Sequence, residues 1–172
     1  MADDHIATYL NDHLAGSVVA VELMENLEAV YAGKPIADFI AKLRADIEAD
    51  VQELEDLMGR LQISESRTRK ASAWLTEKFT QLKLRLDDPA HGDLRLFESL
   101  EALSLGIEGK RSLWLALSAA AEVSPELRIA DYPRLQQRAE EQRERVEAKR
   151  LQVAQTALRL EPPGQASSSY NG

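Results

Sequence analysis

The sequence predicts an all-α protein, a bundle of four long helices. Apolar residues recur at intervals of three and four along most of the chain, which is the period of an amphipathic helix, and strand-like alternation is nearly absent. Only 8 of the 172 residues are glycine and 6 are proline, so few positions interrupt a helix. The length suits one domain. We expect this domain over residues 1–160, followed by a disordered tail rich in proline, glycine and serine over 161–172.

Helices one and two form a predicted hairpin. Helix one is expected over about 4–31, and "AGKP" at 32–35 ends it. Pro35 suits the first position of helix two, over about 35–61. The apolar stripe of helix one comprises Leu10, Leu14, Val18, Val21 and Met24. The stripe of helix two comprises Ile36, Ile40, Leu43, Ile47, Val51, Leu54, Met58 and Leu61.

A long connection separates this hairpin from the second one. A shorter amphipathic helix is predicted over about 68–86, before the turn sequence "DDPAHGD" at 87–93. Helix three follows over about 94–121, and helix four over about 133–160. Two tight connections and one long one are typical of a four-helix bundle with a crossover, here partly helical, between helices two and three.

Composition excludes several kinds of chemistry. The chain has no cysteine, which excludes disulfides, thiolate metal sites and thiol nucleophiles, and its 3 histidines leave little for a zinc site. No phosphate-binding loop or nucleophile elbow is present. No apolar run approaches the roughly 18 residues of a membrane span, and the first residues lack the basic start and apolar core of a signal peptide. We therefore expect a cytoplasmic protein without a membrane segment.

The net charge of −8 is unevenly distributed. Residues 1–59 carry 13 Asp/Glu against 3 Lys/Arg, whereas residues 60–85 carry 7 Lys/Arg against 2 Asp/Glu. A basic segment can bind phosphate groups, but nothing in this one specifies nucleic acid. We expect it to lie against the acidic first hairpin, or against that of a second copy.

Two short stretches resemble a known family. "LAGSVVAVE" on helix one and "LSLGIEGK" on helix three resemble the "AGE" and "IEGE" stretches of rubrerythrin-like members of the ferritin-like superfamily. The resemblance covers most of residues 4–160 in the layout of the helices. It implies a ferritin-like bundle with a crossover and, in the family, a di-iron centre held by one Glu on each of two helices and Glu-x-x-His on each of the other two.

This chain departs from the family at the metal ligands. The two single glutamates of the family fall on Ser17 and Lys110, and helices two, three and four contain no histidine. The Glu-x-x-His positions fall on Ile47 and Asp50 of helix two and on Ala139 and Gln142 of helix four. A cation on the inward face of helix three is the opposite of what an iron site tolerates. We therefore expect neither a metal nor a cofactor.

The same positions predict a buried cluster of ion pairs and hydrogen bonds where the relatives hold iron. At 100° per residue, polar side chains on several helices fall at the edges of the apolar stripes. The candidate members are Glu25, Glu28, Asp50, Lys110, Arg111 and Gln142. Such charges are costly to bury unless they are paired. Alternatively, the glutamates lie at the solvated edge of an apolar stripe, and the long side chains of Lys110 and Arg111 carry their charged ends out to water.

Three functions from different classes remain open at this stage. The first is a non-enzymatic ferritin-like bundle without a metal centre or catalytic residues, in a structural or protein-interaction role. The second is an iron- or manganese-binding bundle with an atypical carboxylate site. Its ligands would be Glu22, Glu25, Asp50 and His13. The third is an assembly or DNA-binding stress protein that uses the basic segment 60–85.

A second apolar side of helix one suggests a partner. Val19, Leu23 and Val30 lie opposite its stripe. A helix that is apolar on two sides is either deeply buried or meets another molecule. The crossover of the same chain could cover this side. Otherwise we expect a homo-oligomer, a dimer in the simplest case, or another protein partner.

Overall fold

Four long helices make up most of the structure. The computed structural model describes residues 2–64, 77 and 92–160. The long helices are α1 (Ala2–Val30), α2 (Pro35–Arg60), α3 (Gly92–Val123) and α4 (Tyr132–Ala157), and a short 3-10 helix (Pro125–Leu127) links the last two. The described residues contain no strand, which confirms the all-α prediction for this part of the chain. The helix predicted over 68–86 and the tail predicted over 161–172 lie outside the described residues.

Local sequence explains where the helices begin and end. Gly33 adopts a positive φ of 78°, which glycine tolerates without a steric cost, and this residue turns the chain between α1 and α2. Pro35 then begins α2, where its missing N–H is not needed. Asp131 caps α4, because its carboxylate accepts a hydrogen bond from the backbone N–H of Arg134 at 3.1 Å.

Two buried apolar clusters show how the helices are oriented. One cluster combines the C-terminal halves of α1 and α4 with the N-terminal halves of α2 and α3, and the other cluster combines the opposite halves. Helices α1 and α4 therefore run in one direction, and α2 and α3 run in the other. At one end the Tyr31 hydroxyl donates a hydrogen bond to the Gly92 carbonyl at 2.7 Å. At the other end Asn11 donates to the Ser64 carbonyl at 3.2 Å, so Ser64 and Gly92 lie at opposite ends of the bundle.

The packing of α1 differs from the predicted stripe. Leu23 and Leu27 are fully buried in the first apolar cluster, so Leu23 does not belong to an exposed second face. Val18 and Val21 of the predicted stripe are only half-buried. Of the three residues on the expected second apolar side, Val30 alone is exposed. The difference arises because the middle of α1 lines a cavity beside α3 instead of packing against it. No helix of the described residues is long and apolar enough to cross a membrane.

Core packing predicts a clear contrast between two leucines. Leu100 on α3 is 0% exposed and Leu151 on α4 is 57% exposed. We expect Leu100→Ala to lower the free energy of unfolding by about 3 kcal/mol, because the substitution removes buried apolar surface and leaves a cavity. Leu151→Ala makes the same change within a helix and should cost less than about 1 kcal/mol. Urea denaturation of both variants measures the difference, and equal losses would contradict this packing.

Candidate functional site

A buried carboxylate on α2 is the centre of a polar network. Asp50 is 4% exposed, and its side chain points between α3 and α4. The Lys110 ammonium of α3 donates hydrogen bonds to Asp50 Oδ2 and to the side-chain oxygen of Gln142 on α4. The Gln142 amide in turn donates to Asp50 Oδ2 at 2.8 Å. Three helices thus contribute one side chain each to a closed triangle of contacts.

A second cation reaches the same carboxylate. Arg138 Nε of α4 lies 3.1 Å from Asp50 Oδ1, and its guanidinium also donates to the Asp46 carbonyl at 3.2 Å. Both oxygens of Asp50 are therefore bound, by two cations and one amide. Arg138 was not among the candidates from the sequence. Its position one turn before Gln142 could have identified it, because residues four apart share a helix face.

Burial lowers the pKa of the lysine in this network. The Lys110 side chain is only 12% exposed, and this desolvation lowers its pKa from the ordinary value, while the Asp50 carboxylate acts in the opposite direction. The net contribution of a buried pair to stability is small, because desolvation offsets the attraction. Loss of one partner is costly, however, because the other charge is left buried. The network, which we call the Asp50 network, therefore holds α2, α3 and α4 in one relative register.

Three of the proposed cluster residues lie elsewhere. Glu25 is exposed. Glu28 pairs with Arg44 of α2 at 2.6 Å, and Arg111 pairs with Glu108 of its own helix at 2.7 Å. The reason is the angle of 100° between neighbouring helical residues. The residues immediately before these three occupy the inward positions, and they are Met24, Leu27 and Lys110. Glu25, Glu28 and Arg111 are therefore turned to the flanks of their helices.

A cavity of about 290 Å³ adjoins the Asp50 network. It lies between α1, α2 and α3 and opens to solvent on one side. Its apolar walls are formed by Ala20, Met24, Leu43, Ile47, Leu103 and Ile107. Polar residues are concentrated near the Lys110 end: Tyr9, Asp12, His13 and Ser17. The cavity is thus apolar over most of its length and polar at one end.

His13 is half-buried at this polar end. Its burial lowers the pKa from the ordinary value of 6.5, and the neighbouring Asp12 carboxylate acts in the opposite direction. The imidazole packs edge-on against the Tyr9 ring at 4.7 Å, and the Ser17 hydroxyl donates to the His13 carbonyl at 2.9 Å. The Tyr9 ring therefore contacts the imidazole, whose neutral form is favoured in the folded protein.

The donor groups do not fit a di-iron centre. Such a centre needs several carboxylates and imidazoles that converge on the same point. Asp50 is the one carboxylate of the Asp50 network, and its oxygens already accept bonds from Lys110, Arg138 and Gln142. No group of three or more metal-binding side chains occurs within the part of the chain that the structure describes. A buried ammonium at this position would repel a metal cation.

Comparison with known proteins yields no relative of this chain. No family model matches it, and neither a curated protein nor a solved structure is significantly similar. The arguments about function therefore rest on the geometry of the Asp50 network and of the cavity.

The Asp50 network makes a prediction about stability. We expect Asp50→Asn to lower the free energy of unfolding by about 3 kcal/mol, because the substitution leaves the buried Lys110 ammonium without its counter-ion. The matched control is Asp46→Asn, one turn earlier on α2. Asp46 pairs with Arg145 at the surface, at 2.5 Å, and its loss should cost less than about 1 kcal/mol. Chemical denaturation at neutral pH measures both values. Similar losses for the two variants would show that the Asp50–Lys110 ion pair contributes no more to stability than a surface ion pair does.

His13 makes a prediction about pH. Folding lowers the pKa of His13 from the ordinary value of 6.5. As the pH falls through this value, the imidazole is therefore protonated in the unfolded chain before it is protonated in the folded chain. The free energy of unfolding should therefore fall as the pH is lowered from about 7.5 to about 5.5. His13→Gln should make this fall shallower, because the variant removes the imidazole whose pKa is lowered. Parallel pH profiles for wild type and His13→Gln would contradict the burial of this imidazole.

Proposed function

We propose that this protein is a non-enzymatic ferritin-like four-helix bundle in which the Asp50 network takes the place of a metal centre, and that its role is structural or protein-interacting. The single observation that carries the proposal is the Lys110 ammonium bound to the buried Asp50 carboxylate. A cation supplied by the chain neutralises the carboxylate from within, so no metal is needed to do so.

The directions of the helices support the ferritin-like part of the proposal. Helices α2 and α3 run parallel, and Ser64 and Gly92 lie at opposite ends of the bundle, which supports a crossover between these two helices. One long crossover of this kind distinguishes ferritin-like bundles from simple up-and-down bundles. The positions where the family carries its helix-two and helix-four ligands are also buried in this structure: Ile47, Asp50, Ala139 and Gln142.

The two alternative functions receive less support. Of the four ligands of an atypical metal site, Glu22 and Glu25 are exposed on α1, while Asp50 is bound by cations. A DNA-binding role depends on the segment 60–85, most of which lies outside the described residues. The expected homodimer stays a prediction, which sedimentation velocity over a range of protein concentrations would measure.

Metal analysis tests the proposal directly. The full chain is purified without chelators, incubated anaerobically with ferrous iron or manganese, desalted and analysed by elemental mass spectrometry. We expect only trace metal, because Lys110 and Arg138 already neutralise Asp50. Retention of about two metals per chain, the stoichiometry of a di-metal centre, would overturn the proposal.

Two charge-reversal variants test whether Lys110 is the group that prevents a metal ion from binding. Lys110→Glu replaces the buried ammonium by a second carboxylate beside Asp50, and we expect this variant to retain more manganese than wild type. Arg111→Glu makes the same charge change one residue further along, on the flank where Arg111 pairs with Glu108. It should leave manganese retention unchanged. Equal retention by the two variants would show that Lys110 is not the group that excludes the metal.

A further inference from the structure

The cavity between α1 and α3 has the size of a small-molecule site. Its volume of about 290 Å³ corresponds to roughly ten water molecules at ~30 Å³ each. This is close to the lower limit of the volumes that ligand pockets occupy. A molecule of about ten non-hydrogen atoms would therefore fill it.

Glycines leave this space open. Gly106 and Gly109 of α3 line the cavity, and a Cβ atom built on either would meet no other atom within 4 Å. Leu105 at the opening is 48% exposed, and Tyr9 is 37% exposed. Apolar surface of this kind gains free energy when an apolar molecule replaces water. The walls thus favour an aliphatic or aromatic body.

Charge distinguishes the two ends of the cavity. At its polar end lies Lys110, whose ammonium shares Asp50 with Arg138. One carboxylate therefore contacts two cations, and the Asp46 carboxylate also acts on Lys110. An ammonium has three N–H donors, and the contacts with Asp50 and Gln142 account for two of them. The remaining donor favours a hydrogen-bond acceptor, and a carboxylate forms the stronger, charge-assisted bond.

Asp12 is the opposing charge along the walls. It is half-buried, next to His13, and the Lys110 side chain is 12% exposed. Because Asp12 and Lys110 favour opposite signs, the charge of the head group is the property that a test has to vary.

We propose that this cavity binds a small amphipathic carboxylate, with its apolar body against the walls of Met24, Leu43 and Leu103 and its carboxylate beside Lys110. The proposal goes beyond the structural role of the bundle. It does not require the bundle to be ferritin-like, so its failure would leave the result of the metal analysis intact.

Isothermal titration calorimetry with three probes of one chain length tests the proposal. Octanoate, 1-octanol and octylammonium share an eight-carbon body and differ in the charge of the head group. We expect one octanoate per chain, with octylammonium bound at least about tenfold more weakly. Lys110→Met should weaken octanoate by about tenfold more than it weakens octanol. Equal binding of octanoate and octylammonium, or no saturable binding of octanoate, would overturn the proposal.

A cavity-filling variant establishes where the probe binds. Gly106→Leu places an isobutyl group in the open space, and leucine is the better helix former, so the variant should remain folded by circular dichroism. We expect it to abolish octanoate binding. Gly59→Leu is the matched control, because Gly59 is an exposed residue of α2 with no atom near its Cβ position, and it should bind octanoate as wild type does.

Two further results would assign the cavity to a different occupant. If Gly106→Leu changed the sedimentation coefficient, a second copy would occupy the cavity. If Gly106→Leu lowered the thermal stability and wild type bound no probe, another part of the same chain would fill it. Either result would overturn the proposal.

Discussion

Burial of the Asp50 carboxylate constrains the rest of the bundle. A charge removed from water needs partners at hydrogen-bond distance, and here they come from α3 and α4. The helices cannot slide or rotate relative to one another without breaking these contacts. The apolar clusters above and below supply most of the favourable free energy, but apolar packing tolerates changes in register more readily than a buried ion pair does. The network therefore specifies the arrangement more than it stabilises it.

Helix α1 contributes no residue to the Asp50 network. The members of the Asp50 network belong to α2, α3 and α4, and α1 packs through leucines on either side of its residues 16–21, such as Leu14 and Leu27. Between these contacts its residues 16–21 are half-buried and small or β-branched. Gly16 has no side chain and Ser17 has a short one, and both line the cavity together with Gly106 and Gly109 of α3, so the two helices leave the cavity open between them. The cavity thus lies between helices that the Asp50 network links and a fourth helix that contributes no residue to that network.

The sequence predicted the helices and part of the site. The periodicity of α2 and α3, with Pro35 at one boundary and glycines at others, defines helices within a few residues of the observed ends. Asp50, Lys110 and Gln142 were nominated from their angular positions, and the structure brings these three into contact. Glu25, Glu28 and Arg111 were nominated by the same criterion and lie on the flanks. An angular position on a single helix has an uncertainty of about one residue, and one residue turns a side chain by 100°.

The sequence by itself determined that the chain is helical, that it has no thiol chemistry and that Asp50, Lys110 and Gln142 are polar residues at the edges of apolar stripes. These properties depend on residue identity and on local periodicity, which are readable along one chain. Only the tertiary structure decided that Arg138 shares Asp50 with Lys110, that Leu23 is buried and that a cavity opens beside Gly106. Each of these depends on the rotation and spacing of helices that are far apart in sequence. That geometry is set by the sum of many contacts between helices, so no single helix encodes it.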